Sequence, residues 1–477
     1  MQKSLLALIC FFVFATQTVA KDGFRVQVKL PGVKDTMAYL AHYYGKALPT
    51  IYKTDSAKFD KSGTVTFQSK DSLLGGIYMV LLSDKKTYFE FLLDNGDDFT
   101  ITADLNDLPY SMKFKNSPEN ERFLEYINFL RDFGKKQEEY VADIAKAKTK
   151  DDTAAVHKKY EPIGRSLIEF RKNYVKKYPG SFVSSVFNAM EMPEVPKDKE
   201  KKADGTVDSM FAYNYYKDHY WDKFPFHDDR IINSPIYDAK LDEFMSKLVL
   251  PLEDSVTKES DVLLAKSRGS KEIFKYTLWW LTKFAENSKV MGMDAVFVYL
   301  VENYYMKGDA YWLEPDQLKK YIDRAHDIAP NVIGNVAPEI KLQDYKNPKI
   351  QHSLHDVKAK YTMVLFWAPD CGHCRTEIPI LDSLYKADLK ARGVKIYAVK
   401  NGGTDKEMQE MLDKHKLTDW IHVHDPERKS RYRADYDIYS TPVIYLLDEK
   451  KIIRGKRIDH SNIVTLIEML EKKAAKN

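Results

Sequence analysis

Cysteine is nearly absent from this sequence: three residues in 477, at Cys10, Cys371 and Cys374. So few thiols exclude a disulfide-stapled scaffold. They also leave no second ligand pair for a zinc ribbon, since His415, His422 and His424 are the nearest other donors and their spacing is poor. Long apolar runs are missing as well. The N-terminal run from Leu5 to Ala15 has about eleven residues, where a membrane-spanning helix needs about 20. Nor is there an excess of one charge. With 74 basic against 70 acidic residues, the formal charge of +4 gives no argument for nucleic acid or an anionic membrane surface as partner. Apolar content of 44% and charged content of 30% are globular values that do not suggest extended disorder.

What is present begins with a basic start at Met1-Gln2-Lys3, the apolar run, and the small residues around Thr18-Val19-Ala20. This reads as a secretory signal peptide over residues 1–20, cleaved after Ala20; a buried N-terminal helix is the bland alternative. Cys10 follows Ile9, where a lipoprotein cleavage box needs a small residue. Cleavage would leave both remaining cysteines in one Cys-x-x-Cys pair, which favours a redox role over a disulfide scaffold.

The length predicts two to four domains. Residues 21–115 carry short strand patterns: Phe24 to Leu30, Gly63 to Phe67, Ile77 to Leu82 and Tyr88 to Leu93. Helical spacing begins at Asn116-Ser117-Pro118 and dominates 116–330, with a charged linker from Pro193 to Lys202. Aromatics crowd the stretch from Phe211 to Phe226, as core or as a partner surface. His219 and His227 lie there among acidic residues, as solvated edges or, less simply, as metal ligands.

The chemistry sits in Phe366-Trp367-Ala368-Pro369-Asp370-Cys371-Gly372-His373-Cys374. An apolar strand from Tyr361 precedes it and a helix follows from Arg375. Placed at a helix N-terminus, Cys371 meets unpaired N–H groups and the helix dipole, which favour thiolate over thiol. Cys371 is therefore the nucleophile. Cys374, one turn on, is the resolving thiol, and the two would cycle through a Cys371–Cys374 disulfide. His373 would lower the Cys371 pKa further if protonated, or is simply solvated. Trp367 lines the approach to Cys371 or packs.

These residues, with Pro379 and the distant Ser440-Thr441-Pro442, resemble the thioredoxin fold. More narrowly they resemble the TlpA-like (ResA-like) thiol-disulfide oxidoreductases of the bacterial cell envelope, over residues 331–477. The resemblance implies a C-terminal α/β thioredoxin fold, so the expected architecture is multidomain: a small antiparallel β domain, a central α-helical domain, then this one. It implies a carboxylate beside the thiols at Glu377, three residues past Cys374, shuttling the resolving thiol's proton. Thioredoxins keep a buried Asp six residues before the first cysteine; Leu365 stands there instead. The resemblance also implies a cis Thr441–Pro442 peptide against the disulfide, with the Thr441 backbone offered to an extended substrate. Pro379 should kink the redox helix.

The implied activity is reduction of protein disulfides, with protein disulfides or dithiols as substrates, a membrane-bound electron donor or acceptor, and no cofactor or metal. Gly372-His373 pulls the other way, since it is the dipeptide of disulfide isomerases, whose potentials lie near about −180 mV. A thiol peroxidase would need Thr or Ser where Ala368 stands. A third reading makes the first two domains a binding module for an envelope protein.

Overall fold

The computed structural model describes residues 22–196, 201–202 and 204–475. The expected signal peptide, and residues 197–200 of the expected linker, lie outside the described residues. The chain forms two compact units. One runs up to Leu248 and includes Lys266–Tyr276; the other comprises Val249–Ala265 and Thr277–Asn477.

The first unit opens with strands β1 (Phe24–Lys29), β2 (Met37–His42), β3 (Tyr52–Lys58), β4 (Thr64–Ser69), β5 (Gly76–Leu82), β6 (Tyr88–Leu93), β7 (Asp98–Thr102) and β8 (Lys113–Lys115). They form two four-stranded sheets, ordered β4-β1-β7-β8 and β3-β2-β5-β6. In β1, Phe24, Val26 and Val28 are buried while Arg25 and Lys29 are exposed, the two-residue alternation of a half-buried strand. Both sheets contribute to one core that includes Val26, Phe67, Val80, Phe91 and Phe99. The domain is not wholly antiparallel, because β1 and β7 run parallel. The five strands between them supply the long crossover that a parallel pair needs and a hairpin cannot give.

Helices α1 (Pro118–Lys146), α2 (Lys150–Lys177), α3 (Phe182–Met190), α4 (Phe211–His219) and α5 (Tyr237–Glu243) follow. Ser117 and Pro118 start α1, and a reciprocal Thr149–Asp152 capping box starts α2. The aromatic crowding is largely core. Tyr220, Trp221 and Phe224 are buried, and Trp221 stacks edge-on against Phe224, Tyr237 and Phe244.

Helices α6 (Glu253–Ser267) and α7 (Lys271–Asn287) have residues in both units, and α8 (Met293–Leu300) and α9 (Pro315–Ile328) belong to the second. Next come β9 (Lys341–Asp344), β10 (Gln351–Ser353), β11 (Tyr361–Trp367), α10 (Gly372–Leu384), β12 (Val394–Lys400), α11 (Asp405–His415), β13 (Ile421–His424), α12 (Tyr432–Asp435), β14 (Val443–Asp448), β15 (Ile453–Lys456) and α13 (Ile463–Ala474). The seven strands form one sheet, ordered β10-β9-β13-β12-β11-β14-β15, with β11 parallel to β12 and antiparallel to β14.

Every residue of β11 is buried. Met363, Leu365 and Trp367 point into the core that holds α10 and α13, while Val364 and Phe366 point into the opposite core with Tyr432, Tyr436 and Tyr445. A strand covered on both faces reads as an unbroken apolar run rather than an alternating one, as this segment does. No helix among the described residues is long and apolar enough to cross a membrane.

Within this unit α8 is tied to the sheet by one buried cation. The Lys456 ammonium pairs with Asp294 and donates to Asn331 Oδ1 at 2.6 Å, with only 5% of its side chain exposed. Truncation strips Asp294 of this cation and leaves Asn331 Oδ1 with only the Tyr445 hydroxyl at 3.4 Å. Lys456→Ala is expected to cost about 2 kcal/mol, the range for hydrogen bonds to a charged group, read as a lower urea midpoint.

Candidate active site

Strand β11 delivers the chain to the site, and Cys371 is the N-cap residue of α10 in extended conformation (φ −79°, ψ 125°). The first-turn N–H groups of a helix have no internal acceptor, so a sulfur at the cap can take them. Burial acts to raise the Cys371 pKa and is the largest single influence. It is outweighed by hydrogen bonds from the Cys374 backbone, the Thr441 and Cys374 side chains and the His373 backbone, leaving the thiol below its ordinary value. The Sγ also lies 3.3 Å from the Thr441 carbonyl, to which the protonated thiol donates.

Cys374 is the opposite case. It is fully buried with Leu365, Trp367 and Ile378 around it. Burial pushes its thiol up to about 12, against a weak contact from the Ala368 N–H at 3.5 Å. Both cysteines are free thiols.

The loop before Cys371 is held from outside. Arg375 Nε donates to the Pro369 carbonyl at 2.8 Å, and Asn401 N–H donates to the Trp367 carbonyl at 2.7 Å. Gly403 (φ +68°) packs so closely that a Cβ there would meet Pro369 Cγ at 2.6 Å, so only glycine fits.

The predicted site residues fall into place unevenly. The Thr441–Pro442 peptide is cis, and Pro442 lines a cleft beside α10 together with His373 and Glu377. Trp367 is fully buried in the core and does not line the approach. His373 meets Cys371 through its backbone, and its side chain is exposed. Pro379 lies inside α10, which continues through it to Leu384.

Glu377 makes no hydrogen bond to either sulfur. Its carboxylate is held by His460, which donates its backbone N–H to Oε1 at 2.9 Å and Nδ1–H to Oε2 at 2.7 Å. His460, in the loop between β15 and α13, is the residue that sequence reasoning missed. It lies 83 positions from its partner and in no motif. Among the described residues no group of three His, Cys, Asp or Glu side chains is arranged to hold a metal ion. The Asp228, Asp229 and His227 stretch is part of the first unit, where His219 Nδ1 lies 2.6 Å from Asp222.

A cavity of about 530 Å³ lies next to the cleft and shares Arg457 and Ile458 with it. Its rim includes Tyr439, 71% exposed, with the Arg457 guanidinium 4.7 Å above the ring. Asp437 joins Arg324 at 2.5 Å to Arg457 at 2.9 Å in its wall.

Comparisons with known proteins divide the chain in the same order. The AhpC/TSA family model matches residues 333–456. Two domains of unknown function, DUF4369 and DUF5106, match residues 24–123 and 142–331. Thioredoxin-like protein YneN of Bacillus subtilis is 33% identical over 141 residues, covering 29% of this chain and 77% of that protein. Thiol-disulfide oxidoreductase ResA of Oceanobacillus iheyensis is 33% identical over 129 residues, 26% of this chain and 65% of the relative. Among solved structures, a domain of a possible thiol-disulfide isomerase from Cytophaga hutchinsonii is 34% identical. That match covers 31% of this chain and 99% of the domain, with a TM-score of 0.29.

The two thiols should separate by pH. Thiolate is the reactive form, so a lowered pKa brings reaction in at lower pH and a raised one delays it. With iodoacetamide and mass spectrometry, Cys371 is expected to alkylate below about pH 8.5, the ordinary thiol midpoint, and Cys374 to stay unmodified in the folded protein through pH 10. Equal labelling of both at neutral pH would contradict this geometry.

Proposed function

We propose, for a chain that belongs to the thioredoxin-like thiol-disulfide oxidoreductases, that it reduces disulfides of exported proteins by cycling Cys371 and Cys374 between dithiol and disulfide. The observation that carries this reading is the opposed tuning of the two sulfurs: Cys371 lowered and partly exposed, Cys374 buried and raised to about 12.

The sequence of steps follows from that asymmetry. The Cys371 thiolate attacks one sulfur of a substrate disulfide, forming a mixed disulfide and releasing the other substrate sulfur as a thiolate. Cys374 then loses its proton and attacks the Cys371 sulfur. The bond to substrate breaks, the second substrate thiolate leaves, and the enzyme carries the two-electron oxidation as a Cys371–Cys374 disulfide. A dithiol donor must restore the reduced form; by family resemblance this is a membrane-bound partner. Glu377 is the base for the Cys374 proton, reaching it directly or through water in the cleft.

A polypeptide substrate is supported by the ground beside the thiols. The cleft with Pro442 and the adjoining cavity, which Tyr439 lines, meet at Arg457 and Ile458 and so offer one continuous concave surface. Export rests on the N-terminal sequence pattern and the resemblance. A second reading, isomerase or oxidase, draws on the exposed Gly372-His373 dipeptide.

The midpoint potential, taken by equilibration in dithiothreitol or glutathione buffers, decides between them. A reductase is expected below about −240 mV, and a value near about −180 mV would favour the isomerase or oxidase. In an insulin reduction assay Cys371→Ser should abolish turnover. Cys374→Ser should instead accumulate a mixed disulfide with substrate, visible on non-reducing gels.

A further inference from the structure

In the cycle proposed above Glu377 collects a proton from a buried thiol, and its own surroundings are set by one residue. Both of its hydrogen bonds among the described residues come from His460, one from the backbone and one from the imidazole. The loop that carries His460 is itself fixed. Asp459 Oδ1 accepts from the Ser461 N–H at 2.8 Å, and Asn462 Oδ1 accepts from the Asp459 N–H at 3.1 Å.

Exposure rises along the line from thiol to loop. Cys374 is 0% exposed, the Glu377 side chain 15% and the His460 side chain 37%. The other charged or titratable groups around the cleft are His373 on α10, Arg457 after β15 and Asp459 beside His460. Arg457 is already engaged by Asp437, so His460 is the group placed to act on Glu377.

We infer that His460 is a positioning residue for Glu377, its backbone N–H aiming the carboxylate and its imidazole deciding whether that carboxylate is available as a base. The inference rests on the dithiol cycle proposed above. Nδ1–H can donate to Oε2 in both charge states of the ring, which differ only by a proton on Nε2. As imidazolium, His460 forms an ion pair with Glu377 and takes the carboxylate out of use. As neutral imidazole, it holds the carboxylate and leaves it free to accept a proton.

The step affected is resolution. The Cys374 proton goes to Glu377 as Sγ attacks the Cys371 sulfur. The Cys371–Cys374 bond forms, the Cys371–substrate bond breaks, and its electron pair leaves on the substrate sulfur. The attack of Cys371 on substrate involves neither Glu377 nor His460.

The test isolates that step in the full-length protein. Cys371 is loaded with 5-thio-2-nitrobenzoate as a mixed disulfide, and release of the coloured thiolate by Cys374 is followed by stopped flow from pH 5 to pH 9. The released thiolate stays ionised across this range and adds no inflection. The wild type is expected to slow about tenfold on the acid side of a single inflection. His460→Ala keeps the backbone donor and loses the ring. It should lose the inflection and resolve faster than wild type at pH 5.5. His373→Ala, which removes the other histidine of the cleft, should keep it, and Glu377→Gln should lose it together with most of the rate at pH 8.

A uniform slowing of His460→Ala at every pH, or an inflection that survives it, would overturn the inference. So would an inflection that disappears with His373. Wild-type protein that fails to release the label at all would instead overturn the dithiol cycle, so the two failures are distinguishable. Should His460→Ala unfold, as judged by circular dichroism, His460→Asn carries the same measurement with the same expected outcomes.

Discussion

The geometry of the candidate site depends on where a fully buried strand stops. Because β11 has apolar partners on both faces, its position in the sheet is fixed by two cores at once. A one-residue slip would exchange the two faces and drive Trp367 into the space of Phe366. The strand therefore presents Cys371 at one place, the cap of α10, where helix N–H groups meet the sulfur. The same core that fixes the strand also encloses Cys374. One packing arrangement thus lowers the pKa of one sulfur and raises that of the other, with no charged side chain needed for the difference.

The site was legible in proportion to how local its chemistry is. The Cys-x-x-Cys pair, its strand and its helix could be read directly, since helix-cap chemistry needs only neighbours. Thr441 and Pro442 came only through resemblance, because nothing in a Ser-Thr-Pro triplet by itself says that it meets a cysteine 70 residues earlier. His460 could not be read at all. It sits in a loop and gains meaning only when the β14–β15 hairpin brings that loop against α10. For Trp367, sequence could not choose between approach and core; its place in β11 decides it, since its side chain belongs to the same face as Met363 and Leu365.

The fold shows the same division. Strands with clean alternation, such as β1 and β4, were visible. The edge strand β3 (Tyr-Lys-Thr-Asp-Ser-Ala-Lys) was not, since its residues are mostly exposed or half-buried and carry no apolar pattern. Strand β13 was obscured by two histidines, one of which, His422, is buried and donates Nε2–H to the Leu417 carbonyl at 2.7 Å. Parallel pairing of β1 with β7 depends on the path of the whole domain rather than on any segment. The helical stretch is likewise divided between the two units, a boundary drawn by packing and unmarked by composition.

The burial of Cys374 has a bearing on oxidative damage. Oxidants reach sulfur as thiolate, so of the two only Cys371 is offered to peroxide. A sulfenic acid formed there has a thiol one helical turn away with which to condense, giving water and a Cys371–Cys374 disulfide. The irreversible sulfinic and sulfonic stages are reached only if that condensation is slow. The sheltered sulfur thus stands as a built-in antidote for the exposed one, since the condensed product is a disulfide, which thiol exchange can reverse.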